Sequence, residues 1–212
     1  VLLLVPILCT AEIVSIGPHQ IYIPMPIGNC TYQESNPEHI RHIEFMREGM
    51  EQLDTMYLLM SADCEKLKTL ESARYSLPLD VAVVYTLRHL ADEKIPMDKE
   101  EFATVIRQEY IDMGAEEFHD AANEFNEIMN NLLEKRSSTT TVDKPAFLGV
   151  LDHDENAVYI GLIKQLTLQN RLTMNQLIVG AYTLVDGKVV VLGFVRKYSD
   201  GELLKSVRQT LT

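Results

Sequence analysis

Residues 177–195 read Leu-Ile-Val-Gly-Ala-Tyr-Thr-Leu-Val-Asp-Gly-Lys-Val-Val-Val-Leu-Gly-Phe-Val, two apolar runs split by Asp186-Gly187. Asp-Gly suits the positive φ that both central residues of a type I′ turn require. Leu177 to Val185 and Lys188 to Val195 are therefore expected to pair as a hairpin. The run Val189-Val-Val-Leu192 leaves no polar side for water, which predicts a sheet covered on both faces. Upstream, Ala146 to Leu151 and Ala157 to Leu166 read as a second hairpin across Asp152-His-Asp-Glu-Asn156. Downstream, Ser199-Asp-Gly-Glu202 has capping-box spacing and opens a final helix with Leu203, Leu204, Val207 and Leu211 inward.

Helices precede these hairpins. From Ala115 to Arg136, Phe118, Ala121, Ala122, Phe125, Met129, Leu132 and Leu133 form one stripe. Glu116, Glu117 and Asp120 at its start and Lys135-Arg136 at its end suit the helix dipole. Gly114 separates it from a helix that Asp98 and Glu101 open by capping-box spacing and that runs to about Met113. Asn36-Pro37 starts another, with Ile40, Ile43, Met46, Met50 and Leu53 on one face. Thr55 to Ser61 and Val81 to Leu87 read as buried strands, with a short helix from Cys64 to Ser72 between them. Glu12 to Tyr32 alternates like a strand but is interrupted at Gly17-Pro18, Pro24, Pro26 and Gly28, as at a sheet edge that bends away. Ser137 to Thr141 is a polar loop, too short to separate two bodies. Strict β-α alternation is absent, so the expected class is α+β: one domain over residues 12–212, with a mainly antiparallel sheet of about six strands packed against helices.

A chain of 212 residues with 46% hydrophobic letters can bury a sizeable core. Asp and Glu outnumber Lys and Arg 31 to 19, and the net charge of −12 repels phosphate backbones and anionic headgroups alike. Nucleic acid is therefore not an expected partner. Val1 to Leu8 resembles the apolar core of a secretory signal, and Cys9-Thr10-Ala11 places small residues where signal peptidase needs them. Residues 1–11 are read as a signal remnant, cleaved after Ala11; the alternative is a buried strand beginning at residue 1. The run is too short to span a bilayer, so no stable span is expected after its removal. Loss of Cys9 leaves Cys30 and Cys64, which suits one disulfide in an oxidising compartment. The alternative is two thiols buried as small hydrophobes. Asn29-Cys30-Thr31 also matches the glycosylation sequon.

Chemistry is harder to place. His39 and His42 stand three apart on the first helix, near Glu38 and Glu44, a spacing that lets two imidazoles meet one metal; the alternative is a solvated helix face. Asp152-His-Asp-Glu-Asn156 opens like a calcium loop, but Ala157 stands where the turn needs Gly and Ile163 where a bidentate Glu is required. A polar hairpin turn accounts for the same residues. No Gly-x-Ser-x-Gly, phosphate-cradling Gly-rich loop or His-Glu-x-x-His occurs, and no cofactor is expected. The acidic side of the 115–136 helix, with Asn123, Asn126, Asn130 and Asn131 between its carboxylates, is either hydrated or meets a basic partner.

The segments Pro24-Met-Pro-Ile-Gly-Asn-Cys30 and Ala62-Asp-Cys64, with Phe147-Leu-Gly-Val150 and Val185-Asp-Gly-Lys188, resemble an uncharacterised family of exported bacterial proteins that carry Pro-x-Pro-x-Gly-aromatic-Cys and Ala-Asp-Cys segments. Asn29 replaces the aromatic residue here. The order of strands and helices is also similar to the PsbP-like fold of small lumenal and periplasmic proteins. The resemblance implies export and fold, and brings no activity with it. The expectation is an exported, soluble, non-catalytic binding or accessory protein of the bacterial envelope, with another envelope protein as partner. A periplasmic hydrolase or metal-binding protein using His39 and His42 is the alternative, and a membrane-tethered accessory is a third reading.

Overall fold

The computed structural model describes residues 11–25, 28–70, 80–136, 138–143, 145–168 and 172–198. The expected final helix at 199–212 and the apolar run at 1–8 lie outside the described residues. Ten strands are described: β1 (Ala11–Ile16), β2 (His19–Pro24), β3 (Asn29–Thr31), β4 (Thr55–Asp63), β5 (Val81–Leu87), β6 (Thr141–Val142), β7 (Ala146–His153), β8 (Ala157–Leu168), β9 (Leu172–Val185) and β10 (Lys188–Lys197). Four α-helices accompany them: α1 (Pro37–Gln52), α2 (Cys64–Leu70), α3 (Lys99–Asp112) and α4 (Ala115–Lys135).

The expected α+β class holds, and every described strand pair is antiparallel. The strand count needs correction. In place of about six strands, an eight-stranded sheet runs β3-β4-β5-β10-β9-β8-β6, with β7 also paired to β8, and β1-β2 form a separate two-stranded sheet. Two local causes account for the difference. Gly17, at φ 55°, folds the N-terminal segment back into a hairpin of its own. Thr141, the last residue of the region read as a polar loop, and Val142 just after it pair with the margin of β8, beyond the stretch that β7 occupies.

Local chemistry fixes the element ends where the sequence suggested. Asn36 Oδ1 accepts from Glu38 N at 2.9 Å with Pro37 opening α1, and Asp98 Oδ1 accepts from Glu101 N at 2.9 Å to start α3. Asp186 and Gly187 both have positive φ, 52° and 77°, as a type I′ turn requires. That two-residue turn sets the β9-β10 register, placing Leu184 opposite Val189 and Gly180 opposite Gly193.

The sheet is covered on both sides. On one side Val14, Ile16, Ile21 and Ile23 of the hairpin pack on Leu59, Val84 and Val190. On the other, Ile43 and Met50 of α1 meet Met60, Val81 and Val83; Met129, Leu132 and Leu133 of α4 meet Val142, Leu166 and Met174; and Phe102 of α3 meets Leu184, Val189 and Val191. Between α1, α4 and the sheet, the packing leaves a gap.

Candidate functional site: a cavity between sheet and helices

The gap is a cavity of about 280 Å³, close to the lower bound of roughly 300 Å³ for small-ligand sites. Phe45, Met46 and Met50 of α1 roof it with Phe125 and Met129 of α4, and β5, β10, β9 and β8 make its floor. Glycines are part of its floor. Gly180 and Gly193 face each other across the two strands in the middle of the sheet, while Gly49 of α1 also lines the cavity and gives α4 room to approach, a Cβ there lying 3.2 Å from Leu132 Cδ1. Glycine inside a strand is conformationally costly and marks a place where something approaches the backbone. A Cβ on Gly180 would lie 3.2 Å from Tyr182 Cε2, and one on Gly193 would lie 3.6 Å from Tyr85 Cε1.

Apart from His42 and Thr55, the polar groups of the walls gather at two places. One is the cross-strand pair Lys164 and Gln176, which lie opposite each other on β8 and β9 and are 8% and 2% exposed. Burial pushes the Lys164 ammonium down to about 8, because the low-polarity surroundings penalise its charge. Its Nζ sits 5.5 Å from the centre of the Phe125 ring, and no hydrogen-bond acceptor reaches it among the described residues. The other polar place holds Tyr85 and Tyr182. The Tyr110 hydroxyl donates to Tyr182 Oη at 2.9 Å, and Tyr182 is hydrogen-bonded to Tyr85 as well. Burial first, then these neighbouring hydroxyls, raises the pKa of Tyr85 and Tyr110, so both stay neutral. Gln176 and Tyr182 stand six residues apart on β9, about 20 Å of strand. The site is thus long, apolar in its middle, and polar toward both ends.

The residues singled out from sequence fall partly on this cavity. His42 lines it, and burial, followed by Arg41, His39 and Arg136, lowers its pKa. His39, on the first turn of α1, is buried instead against the β3-α1 connection, where Nδ1 accepts from Gln33 N at 3.0 Å and the ring lies 5.2 Å from that of Tyr32. Both imidazoles therefore pack on Tyr32, His42 edge-on at 5.9 Å, while only His42 reaches the cavity. Among the described residues, no three His, Cys, Asp or Glu side chains come together as metal ligands. Asp154 forms the hairpin turn: Oδ1 accepts from Asn156 N and Ala157 N, and Oδ2 from Tyr159 Oη. Slight burial works the other way, but these bonds hold its carboxyl below the usual range. Cys30 and Cys64 are disulfide-bonded with Cα atoms 4.9 Å apart, brought together because β3 pairs with β4 and Cys64 N donates to Gly28 O. On α4, Asn126 and Asn130 turn toward β6.

Sequence reading missed Lys164, Gln176, Gly180, Gly193, Tyr85 and Tyr182. A signal existed for the glycines: once Asp186-Gly187 is a two-residue turn, Gly180 must oppose Gly193.

The chain matches no protein-family model, no curated protein and no solved structure. Among the described residues no helix is long and apolar enough to cross a membrane. The disulfide is compatible with an oxidising compartment.

Proposed function

We propose that this is an exported binding protein that encloses a small, mainly apolar molecule between its sheet and helices α1 and α4. One observation carries the reading: an apolar cavity whose floor includes two glycines facing each other in central strands. A packed interior normally leaves few voids larger than a water molecule. Two alanines would narrow this one without disturbing the ladder. The methionines of its roof, Met46, Met50 and Met129, adapt easily to the shape of a guest. Export is part of the proposal, supported by the Cys30–Cys64 bond and by the resemblance to exported bacterial proteins.

Titration with a neutral apolar fluorophore such as Nile red tests the cavity. Saturable one-to-one binding is expected, and Gly180→Val should abolish it while the circular dichroism spectrum stays that of the parent. A folded parent protein that shows no saturable uptake would remove this reading. For export, cell fractionation should find the protein outside the cytoplasm with no free thiol at Cys30 or Cys64.

A further inference from the structure

Lys164 is the single Lys, Arg, Asp or Glu among the described residues lining the cavity. That is notable in a chain where acidic residues outnumber basic ones 31 to 19. Among the described residues no Asp or Glu lines the cavity to neutralise this ammonium. A buried cation with no counter-ion is costly, and it is kept in apolar surroundings only by a role that repays the cost. The aromatic face of Phe125 gives partial compensation and no more.

Resting on the cavity reading above, we infer that the bound molecule is a narrow amphiphile with one carboxylate, its head between the Lys164 ammonium and the Gln176 amide and its tail lying over Gly180 and Gly193 toward Tyr85 and Tyr182. Charge count selects the head. One ammonium matches one negative charge; a phosphate monoester, with nearly two, would carry an unmatched charge into the same apolar space. The partnership with Gln176 adds a planar amide donor beside the ammonium, so each carboxylate oxygen has a donor. Shape selects the tail. The space between the two polar places is about 20 Å long by the strand rise, and its glycine floor and methionine roof suit a flexible alkyl chain better than a fused ring system. His42, the remaining titratable group near α1's end of the roof, is held toward its neutral form and does not demand a second negative charge.

The test compares three ligands of one chain length, dodecanoate, dodecanol and dodecyl phosphate. Each is titrated below its micelle threshold against the full chain and against Lys164→Met, by displacement of Nile red. In the parent protein the carboxylate should bind roughly tenfold or more tighter than the alcohol, the value of a buried charge-assisted hydrogen bond, and tighter than the phosphate. In Lys164→Met the carboxylate should fall to the level of the alcohol, with alcohol affinity changed less than twofold, which also shows that the variant is folded. Gln176→Met should lose part of the preference. Equal binding of alcohol and carboxylate by the parent, or tightest binding of the phosphate, would overturn the head-group assignment and leave the cavity reading standing. Uptake of none of the three, nor of Nile red, would end both.

Discussion

The side-chain amide of Asn130 grips both backbone polar groups of Val142: Oδ1 accepts from Val142 N at 2.8 Å, and Nδ2 donates to Val142 O at 2.8 Å. It does for β6 what a neighbouring strand would do, on the side turned away from β8. Val142 also lines the cavity, so this clamp from α4 fixes one of the cavity's walls.

Replacing Asn130 by Leu removes its two hydrogen bonds to Val142, about 1 kcal/mol each, together with a longer one to Asn126, and leaves two backbone groups to find water. The melting temperature should fall by about 4–8 °C, at roughly 2–4 °C per kcal/mol for a chain of this size. A thermal melt followed by circular dichroism reads it; an unchanged midpoint would show that the clamp contributes nothing.

Lys164 makes stability depend on pH in a definite direction. Its folded pKa of about 8 lies below the ordinary value of 10.5. Between these values the unfolded chain binds the extra proton, so stability rises with pH through that window, and below it the penalty is fully present. The full effect is on the order of 3 kcal/mol. Ligand-free Lys164→Met should therefore be more stable than the parent at neutral pH, with the gap closing toward pH 10. Tyrosines act oppositely above that point. Tyr57, raised chiefly by burial to about 12, and the half-buried Tyr85 and Tyr110 stay neutral in the fold while unfolded tyrosines ionise near about 10. Urea unfolding from pH 7 to 11 should give a maximum between the two regimes in the parent and no alkaline rise in the variant.

The two floor glycines should respond differently to a methyl group. At Gly193 an added Cβ makes ordinary contact with Tyr85, so Gly193→Ala should gain about 0.5–1 kcal/mol from reduced chain entropy. At Gly180 the Tyr182 ring must give way by a few tenths of an ångström, so the gain should shrink or reverse. Both should weaken uptake of a cavity probe. Chemical denaturation alongside Nile red titration separates stability from space.

Reduction of the Cys30–Cys64 bond reopens a loop whose ends are 34 residues apart. The chain-entropy estimate for such a loop is roughly 4 kcal/mol as an upper bound, or about 10 °C in melting temperature. A melt unaltered after verified loss of the disulfide would show that the bridge does not stabilise the fold.

Elements that declare themselves through local chemistry were legible in the sequence. Asn36-Pro37, Asp98-Glu101 and Asp186-Gly187 each mark a boundary found in the structure, because caps and tight turns depend on residues adjacent in sequence. Strand β6 was not legible: two residues carry no periodicity, and their partner is a side chain on α4 twelve positions earlier. Asn130 looked like part of a polar helix face for the same reason. The cavity was hidden because Lys164 and Gln176 resemble the polar half of an alternating strand. Which side of a sheet is covered is settled by helices far away in the chain. Cys30 and Cys64 were readable as a pair by counting; His39 and His42 were readable as neighbours on a helix, but not as two rings that share Tyr32 while only one of them lines the cavity.

The margins of the eight-stranded sheet carry one more implication. At one end stands β3, three residues long and tied down through Cys30; at the other, β8 is shared between the two-residue β6 and a β7 whose register slips twice. Among the described residues, so short a β3 and so irregular a β7 offer a poor template for a foreign strand to zip onto, which is how fibrils and edge-to-edge clumps begin. A sheet this rich in valine and isoleucine is thereby shielded from templating its own polymerisation, even when crowded.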